Sequence, residues 1–240
     1  MSERKYVMPC VFKPTKEEKR QIEKRKYDFL YSEAYENKHG CYGGHNHGQG
    51  IYDLIKQLDI SSILDVGCGQ NNFTKWCREN NIRSMGVDIS SPKADIVAPA
   101  HNIPVEDKSF DYITCFDVME HLLEEEVYDV LKEFARIARR GLLFCISYEP
   151  SKRGVVFRTI KRESSGKLLI KVPIFRNNKC STRAIQKELR KGNLHPAVKP
   201  QDWWIEKIKE YGETNVVIRD WYNSGCDLLE HKNYIHTVLN

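Results

Sequence analysis

From Ser62 onward the chain alternates short apolar runs with amphipathic stretches. "SILDV" (62–66), "RSMGVDI" (83–89), "ADIVA" (94–98) and "FDYITCF" (110–116) read as strands. "NFTKWCREN" (72–80) reads as a helix with Phe73, Trp76 and Cys77 on one face. Residues 123–140 form the strongest helical pattern, with Val127, Val130, Leu131, Phe134 and Ile137 at helical spacing. Three glutamates open it, two arginines close it, and Gly141 is the expected stop. "LLFCIS" (142–147) is almost wholly apolar, as a central parallel strand buried on both faces is. With later strands expected at 215–221 and 233–239, the pattern predicts a doubly wound, mostly parallel seven-stranded sheet of the α/β, Rossmann-like kind.

The flanks differ. Residues 1–15 look irregular, 16–35 read as a charged helix, and 51–58 as a short helix leading into the sheet. Residues 36–50 carry five glycines and three histidines and read as a loop. After the fifth strand, residues 155–175 read as an added hairpin turning at "SSG", followed by a basic helix near 181–191 and a helix over 201–211. The expected division is an extension with a glycine- and histidine-rich lid over 1–50, then one domain over 51–240 with an insert at about 151–199.

Charge sharpens this picture. Residues 151–200 hold 14 Lys/Arg against two acids, while the whole chain carries only +5. An anionic partner at the insert is therefore a candidate, set against a merely solvated segment. The eight cysteines form no C-x-x-C pair, so reduced thiols in a cytoplasmic setting are expected rather than a disulfide framework or zinc site. No run of apolar residues is long enough to span a membrane, and the N-terminus lacks the apolar stretch of a secretory signal.

The candidate chemistry begins at "LDVGCGQNN". A strand ending in Gly-x-Gly before a helix brings backbone close to a ligand and aims N–H groups at it. The dinucleotide fingerprint needs a sixth-position glycine, and here that position is Asn72. Asp65 precedes the turn and suits a cationic amine. Asp88 closes the second strand, where a carboxylate can accept both ribose hydroxyls. Asn71 is a tolerable departure, since Asn enters the left-handed region and caps helices.

"LDVGCG", "GVDIS", "AHNIPVEDKSFDYITCFDVMEHL" and "GLLFCIS" together resemble class I S-adenosylmethionine-dependent methyltransferases, the broad group with small-molecule, quinone and glycan members. The resemblance covers about residues 50–148 well and 201–240 loosely. It implies S-adenosylmethionine as cofactor and S-adenosylhomocysteine as product. It places Asp65, Gly67, Cys68 and Gly69 at the cofactor turn, Asp88 at the ribose, and Ile89, Asn102 and Ile103 along the adenine. Where the group often has Asp-Ala, this chain has Pro99-Ala100. Phe116 and Asp117 would face the methionine part and the acceptor.

Methyl transfer needs alignment, exclusion of water and, for a hydroxyl acceptor, a base. Asp117, Glu120 and His121 lie close in sequence, and His121 is the first candidate base, with Glu120 beside it. In some quinone and small-RNA relatives a similar Glu-His pair with a later histidine takes part in metal binding, and His195 is the candidate counterpart. The reading adopted has no metal: Glu120 caps the following helix and His121 packs as a polar core residue. His45 and His47 of "GGHNHG", His195 and Trp203 are the acceptor-side candidates. The expected function is transfer of a methyl group to oxygen or nitrogen of an anionic small-molecule or glycan-like acceptor. The alternatives are an RNA or nucleotide 2′-O-methyltransferase, metal-assisted or not, and a non-catalytic nucleic-acid-binding module using the basic insert. "FDVM" lacks the Asn/Asp-Pro-Pro-aromatic motif of amino-directed DNA enzymes, and no Pro-Cys nucleophile follows that strand.

Overall fold

The computed structural model describes residues 14–44, 48–147, 153–162, 165, 167–177, 191–217 and 234–240. Seven strands form one sheet: β1 (Ser62–Val66), β2 (Arg83–Asp88), β3 (Ile96–Val97), β4 (Phe110–Phe116), β5 (Ala138–Cys145), β9 (Gly212–Val217) and β10 (Tyr234–Leu239). Their order is β3-β2-β1-β4-β5-β10-β9. The pairings among β1 to β5 are parallel, and β10 runs antiparallel to both β5 and β9. Helices α3 (Gly48–Gln57), α4 (Asn72–Glu79), α5 (Val127–Ile137) and α6 (Gln201–Ile208) accompany the sheet.

Strand alternation divides the core between the two faces. Leu64, Val66, Ile113, Cys115, Leu142 and Phe144 point to the side of α5 and α6, where they meet Val130, Phe134 and the fully buried Trp204. Ile63, Tyr112, Phe116, Leu143 and Cys145 point to the side of α3 and α4, against Ile51, Ile55, Phe73 and Cys77. β1 and β4 are buried along their whole length, which explains why they are mostly apolar.

Two expectations fail here for physical reasons. The helix expected to run to residue 140 stops at Ile137, and Ala138 already pairs with Phe110 in β5. Gly141 is thus a strand residue. A Cβ there would meet Tyr112 Cε1 at 2.4 Å and Thr237 O at 2.5 Å, so the glycine makes room in β5 for Tyr112 of β4 on one side and for the β10 backbone on the other. Arg139 grips Asp111 with Nε at 3.1 Å and Nη2 at 2.8 Å instead of closing a helix. Asp111 also accepts from the backbone N–H groups of Ser61 and Ser62 at 3.1 and 3.0 Å. Burial pulls this carboxyl upward, but the Ser61 and Arg139 bonds outweigh it and hold it at about 2.

The stretch expected as a loop over 36–50 is partly helical. Helix α1 (Lys16–Leu30) is followed by α2 (Glu33–His39), and α3 already starts at Gly48. Thr15 and Glu18 form a reciprocal capping box at the start of α1. Lys16 pairs with Asp129 at 2.7 Å, Lys19 with Glu125 at 2.8 Å and Arg20 with Glu126 at 2.8 Å, fastening α1 to the start of α5.

A second, antiparallel sheet has the order β7-β6-β8, from β6 (Arg153–Arg162), β7 (Leu168–Asn177) and β8 (Lys191–Asn193). The expected hairpin is β6–β7. Most of the expected basic helix near 181–191 lies outside the described residues, and Lys191 belongs to β8. Leu168 and Ile170 pack on a cluster of Ile22, Leu30, Tyr35 and Leu194, joining this sheet to α1 and α2. Among the described residues no helix is long and apolar enough to cross a membrane, and the five described cysteines are unbridged.

Candidate active site

The glycine turn follows β1 directly. Gly67 has φ +81° and Gly69 φ +54°, conformations that side-chain-bearing residues rarely adopt. A Cβ on Gly67 would strike Val118 Cγ2 at 2.0 Å, and one on Gly69 would strike Gly43 O at 2.3 Å. The turn is held by Gly67 N and Cys68 N donating to Val87 O at 2.7 and 3.0 Å. Asn71 is left-handed, with φ 62°. Its side chain does not cap α4 as expected. It donates to Lys93 O at 2.9 Å and Asp95 Oδ2 at 3.2 Å, tying the turn to the segment after β2.

Above the turn lies a cavity of about 570 Å³, within the range of ~300–1,000 Å³ usual for small-molecule sites. Asp65, Gly67, Cys68, Gly69, Asp88, Ile89, Phe116 and Asp117 all line it. Asp65 is buried and accepts from Thr114 Oγ1 at 2.7 Å. Desolvation pushes its carboxyl up to about 7, against the opposing pull of the Thr114 bond. Asp88 is already fully engaged. Its Oδ1 accepts from Ser90 N and Ser91 N at 2.9 Å each, and its Oδ2 from Gly69 N at 3.2 Å and Tyr31 Oη at 3.0 Å. Four bonds fill the carboxylate's acceptor sites, so the expected two-pronged grip on a ribose requires displacing the Tyr31 hydroxyl.

The opposite wall comes from α1, α2 and the residues after them. Glu23, Tyr27, Tyr31, Tyr35 and Tyr42 line the cavity, with Tyr42 edge-on to Tyr31 and Tyr35 at centroid distances of 5.4 and 6.3 Å. Residues 42–44 sit on the glycine turn: Gln70 N donates to Gly43 O at 3.0 Å, and Gln70 Nε2 to Tyr42 O at 2.9 Å. The lid candidates His45 and His47 lie outside the described residues.

At the far end stand Glu120, His121 and His195. The His121 and His195 rings meet edge to face with centroids 4.6 Å apart. Ala197 N donates to the Glu120 carbonyl at 3.1 Å, which anchors the segment that follows the second sheet and brings His195 here. The expected helix-capping role of Glu120 is not observed. Its Oε1 accepts from Ser147 N at 3.1 Å, while Glu126 receives the Leu123 N–H ahead of α5. One ligand atom each from Glu120, His121 and His195 lie within 4.8 Å of one another, a set chemically able to hold a divalent cation. Burial, then the neighbouring His195 and Lys26, hold His121 well below its usual value, so it is a neutral imidazole near pH 7.

Three expected residues stand apart. Asn102 is exposed, and Ile103 is turned into the core, its backbone N–H on Glu133 Oε1 at 2.7 Å. Ala98 and Ala100 line the cavity in their place. Trp203 packs edge-on to Trp204 at 4.8 Å under Lys199 and Lys207, in a separate depression beside α5. The tyrosine wall went unforeseen. Its signal is present, because Glu23, Tyr27, Tyr31 and Tyr35 recur at spacing four beside the buried stripe Ile22, Lys26 and Leu30. No lysine or arginine stands among the described residues lining the cavity, whereas six carboxylates do.

Residues 64–146 match the family described as "Methyltransferase domain". A curated relative, the malonyl-[acyl-carrier protein] O-methyltransferase of Hamiltonella defensa, is 26% identical over 102 residues. That match spans 38% of this chain and only 39% of the relative's length. Among solved structures, the 1,6-didemethyltoxoflavin-N1-methyltransferase of Burkholderia thailandensis, with S-adenosylhomocysteine bound, aligns at TM-score 0.52 and 12% identity, covering 97% of this chain and 93% of that one. The amino pentose methyltransferase CalS10 of Micromonospora echinaspora aligns at TM-score 0.53 and 12% identity, covering 88% and 98%. At 12% identity these two likenesses are of fold.

Proposed function

Starting from a chain whose residues 64–146 form a class I S-adenosylmethionine-dependent methyltransferase domain, we propose that it transfers a methyl group from S-adenosylmethionine to a small-molecule acceptor in the cavity above the glycine turn. One observation carries the reading. A single cavity joins Asp65, Gly67, Gly69 and Asp88 at one end to Tyr27, His121 and His195 at the other.

The residues suit the donor. Asp65 is a buried acid facing the cavity and would take the donor's ammonium. Asp88 would take the ribose once Tyr31 yields its place, with Ile89, Ala98 and Ala100 along the adenine. Gly67 and Gly69 let the backbone approach closely. When bound, the donor supplies a methyl group on a sulfonium, activated for in-line displacement. Phe116 and Asp117 line the same cavity and would face the methionine part and the acceptor. The tyrosine wall and residues 42–44 line the cavity and would limit water's access to bound donor and acceptor. Neutral His121 takes the acceptor's proton.

The wall also bears on the acceptor. An anionic acceptor was expected from the charge of residues 151–200, but the described cavity lining offers it no cation. A neutral or cationic small molecule suits the carboxylate- and tyrosine-lined wall better. The test is transfer of labelled methyl from S-adenosylmethionine into an extract, with and without nuclease. Label should appear in low-mass, nuclease-resistant material. Label confined to nuclease-sensitive material would reject the reading in favour of a nucleic-acid acceptor.

A further inference from the structure

Among the buried polar atoms without a hydrogen-bond partner are the Tyr27 hydroxyl and His121 Nδ1, both at the acceptor end. They come from distant elements. Tyr27 lies in the last turn of α1, and His121 in the short turn after β4. The two rings nevertheless meet edge to face, with centroids 6.1 Å apart and planes at 73°. Both residues line the cavity. Buried hydroxyls and ring nitrogens are normally satisfied, and leaving one open is costly. Two open atoms on neighbouring rings at the end of a ligand cavity mark a place where a ligand's polar group completes the bonding.

We propose that Tyr27 and His121 hold the acceptor's nucleophilic atom between them, and that this atom is a hydroxyl oxygen. The inference rests on the methyl-transfer reading above. Tyr27 is a catalytic residue in it, supplied by the N-terminal helix rather than by the methyltransferase domain. Burial pushes the Tyr27 hydroxyl well above its usual value, so it remains an O–H that donates. The His121 ring bonds the Leu194 backbone, and its Nδ1 has no hydrogen-bond partner, so the ring N–H is on the other nitrogen. The lone pair then resides on Nδ1. A group that fits between a donating O–H and an accepting nitrogen must itself accept and donate. A hydroxyl does both and keeps a second lone pair for the methyl carbon, whereas an amine's single lone pair would be taken by the Tyr27 O–H, and an ionised carboxylate only accepts and would face the Nδ1 lone pair.

The step balances. The acceptor's lone pair forms the new bond to the methyl carbon. The bond from that carbon to the donor sulfur breaks, and its electron pair stays on sulfur. The acceptor's proton passes to His121 Nδ1, leaving a methyl ether, a thioether and an imidazolium.

The test uses methyl-labelled S-adenosylmethionine and a deproteinised small-molecule extract. Tyr27→Phe should bind S-adenosylmethionine within twofold of the wild type by calorimetry, yet transfer label at least tenfold more slowly. His121→Asn, which keeps the side chain polar and compact, should do the same, and the double variant should be little slower than His121→Asn alone. The labelled product should survive mild alkali, which releases methyl esters as volatile methanol. Wild-type transfer rates in Tyr27→Phe, or alkali-released label, would overturn this inference and leave the proposed function standing. S-adenosylmethionine that binds but transfers label to no fraction would overturn both.

Discussion

Replacing Asp65 by asparagine separates what the buried acid costs the fold from what it contributes to binding. Desolvation lifts the Asp65 carboxyl from 3.8 to about 7, so the folded protein without donor holds this proton more tightly than the unfolded chain. The sign follows from linkage. The penalty is absent below pH ~4, grows as pH rises toward 7, and is complete above 7, where it reaches about 4 kcal/mol. Asparagine keeps an oxygen for the Thr114 hydroxyl and carries no charge to desolvate. Asp65→Asn should therefore raise the melting temperature at pH 8 and have little effect at pH 4. Donor binding should move the other way, because an ammonium prefers the ionised acid. Wild-type affinity for S-adenosylmethionine should fall about fivefold from pH 7 to 6 and about tenfold per unit below that. Calorimetry at each pH, in buffers of different ionisation enthalpy, should detect proton release on binding below pH 7. Asp65→Asn should bind weakly with no such slope. A variant that is no more stable at pH 8, together with a pH slope unchanged by the substitution, would refute the reasoning.

Other outcomes follow from single contacts. Tyr31→Phe removes the hydroxyl that competes for Asp88 Oδ2, and calorimetry should show S-adenosylmethionine binding tightened by about threefold to tenfold, the worth of one net hydrogen bond; weaker binding would show that the hydroxyl assists the ribose. Asp111 is depressed to about 2, so its contribution of about 2 kcal/mol is present above pH ~4 and lost as pH falls through 2. Asp111→Asn should lower stability in urea titrations at pH 7 by at least that amount and flatten the acid limb. Exhaustive chelation should leave methyl transfer unchanged. A loss restored by a divalent cation would instead assign Glu120, His121 and His195 to a metal.

The parts of this molecule legible in the sequence are those built from neighbours. β1, β4 and α5 declare themselves through period and apolarity, and the donor end is compact because Asp65 to Gly69 and Asp88 close adjacent parallel strands. The boundary at Ala138 was hidden because "ARIARR" favours a helix locally, whereas the pairing of Ala138 with Phe110 and the Arg139–Asp111 grip decide it from afar. The acceptor end was hidden for the same reason on a larger scale. Tyr27, His121 and His195 meet only because ion pairs hold α1 to α5 and the Ala197–Glu120 bond ties down the segment after the second sheet. Asn102 and Ile103 were assigned by position in a motif, and position alone does not determine which side of the backbone faces a cavity.

The central claim is that Asp88 and the glycine turn hold S-adenosylmethionine. Its most direct test is calorimetric titration of the wild type and of Asp88→Ala with S-adenosylmethionine. The account predicts stoichiometric binding by the wild type and at least a tenfold loss in the variant. No binding by the wild type, or equal binding by both, would contradict it.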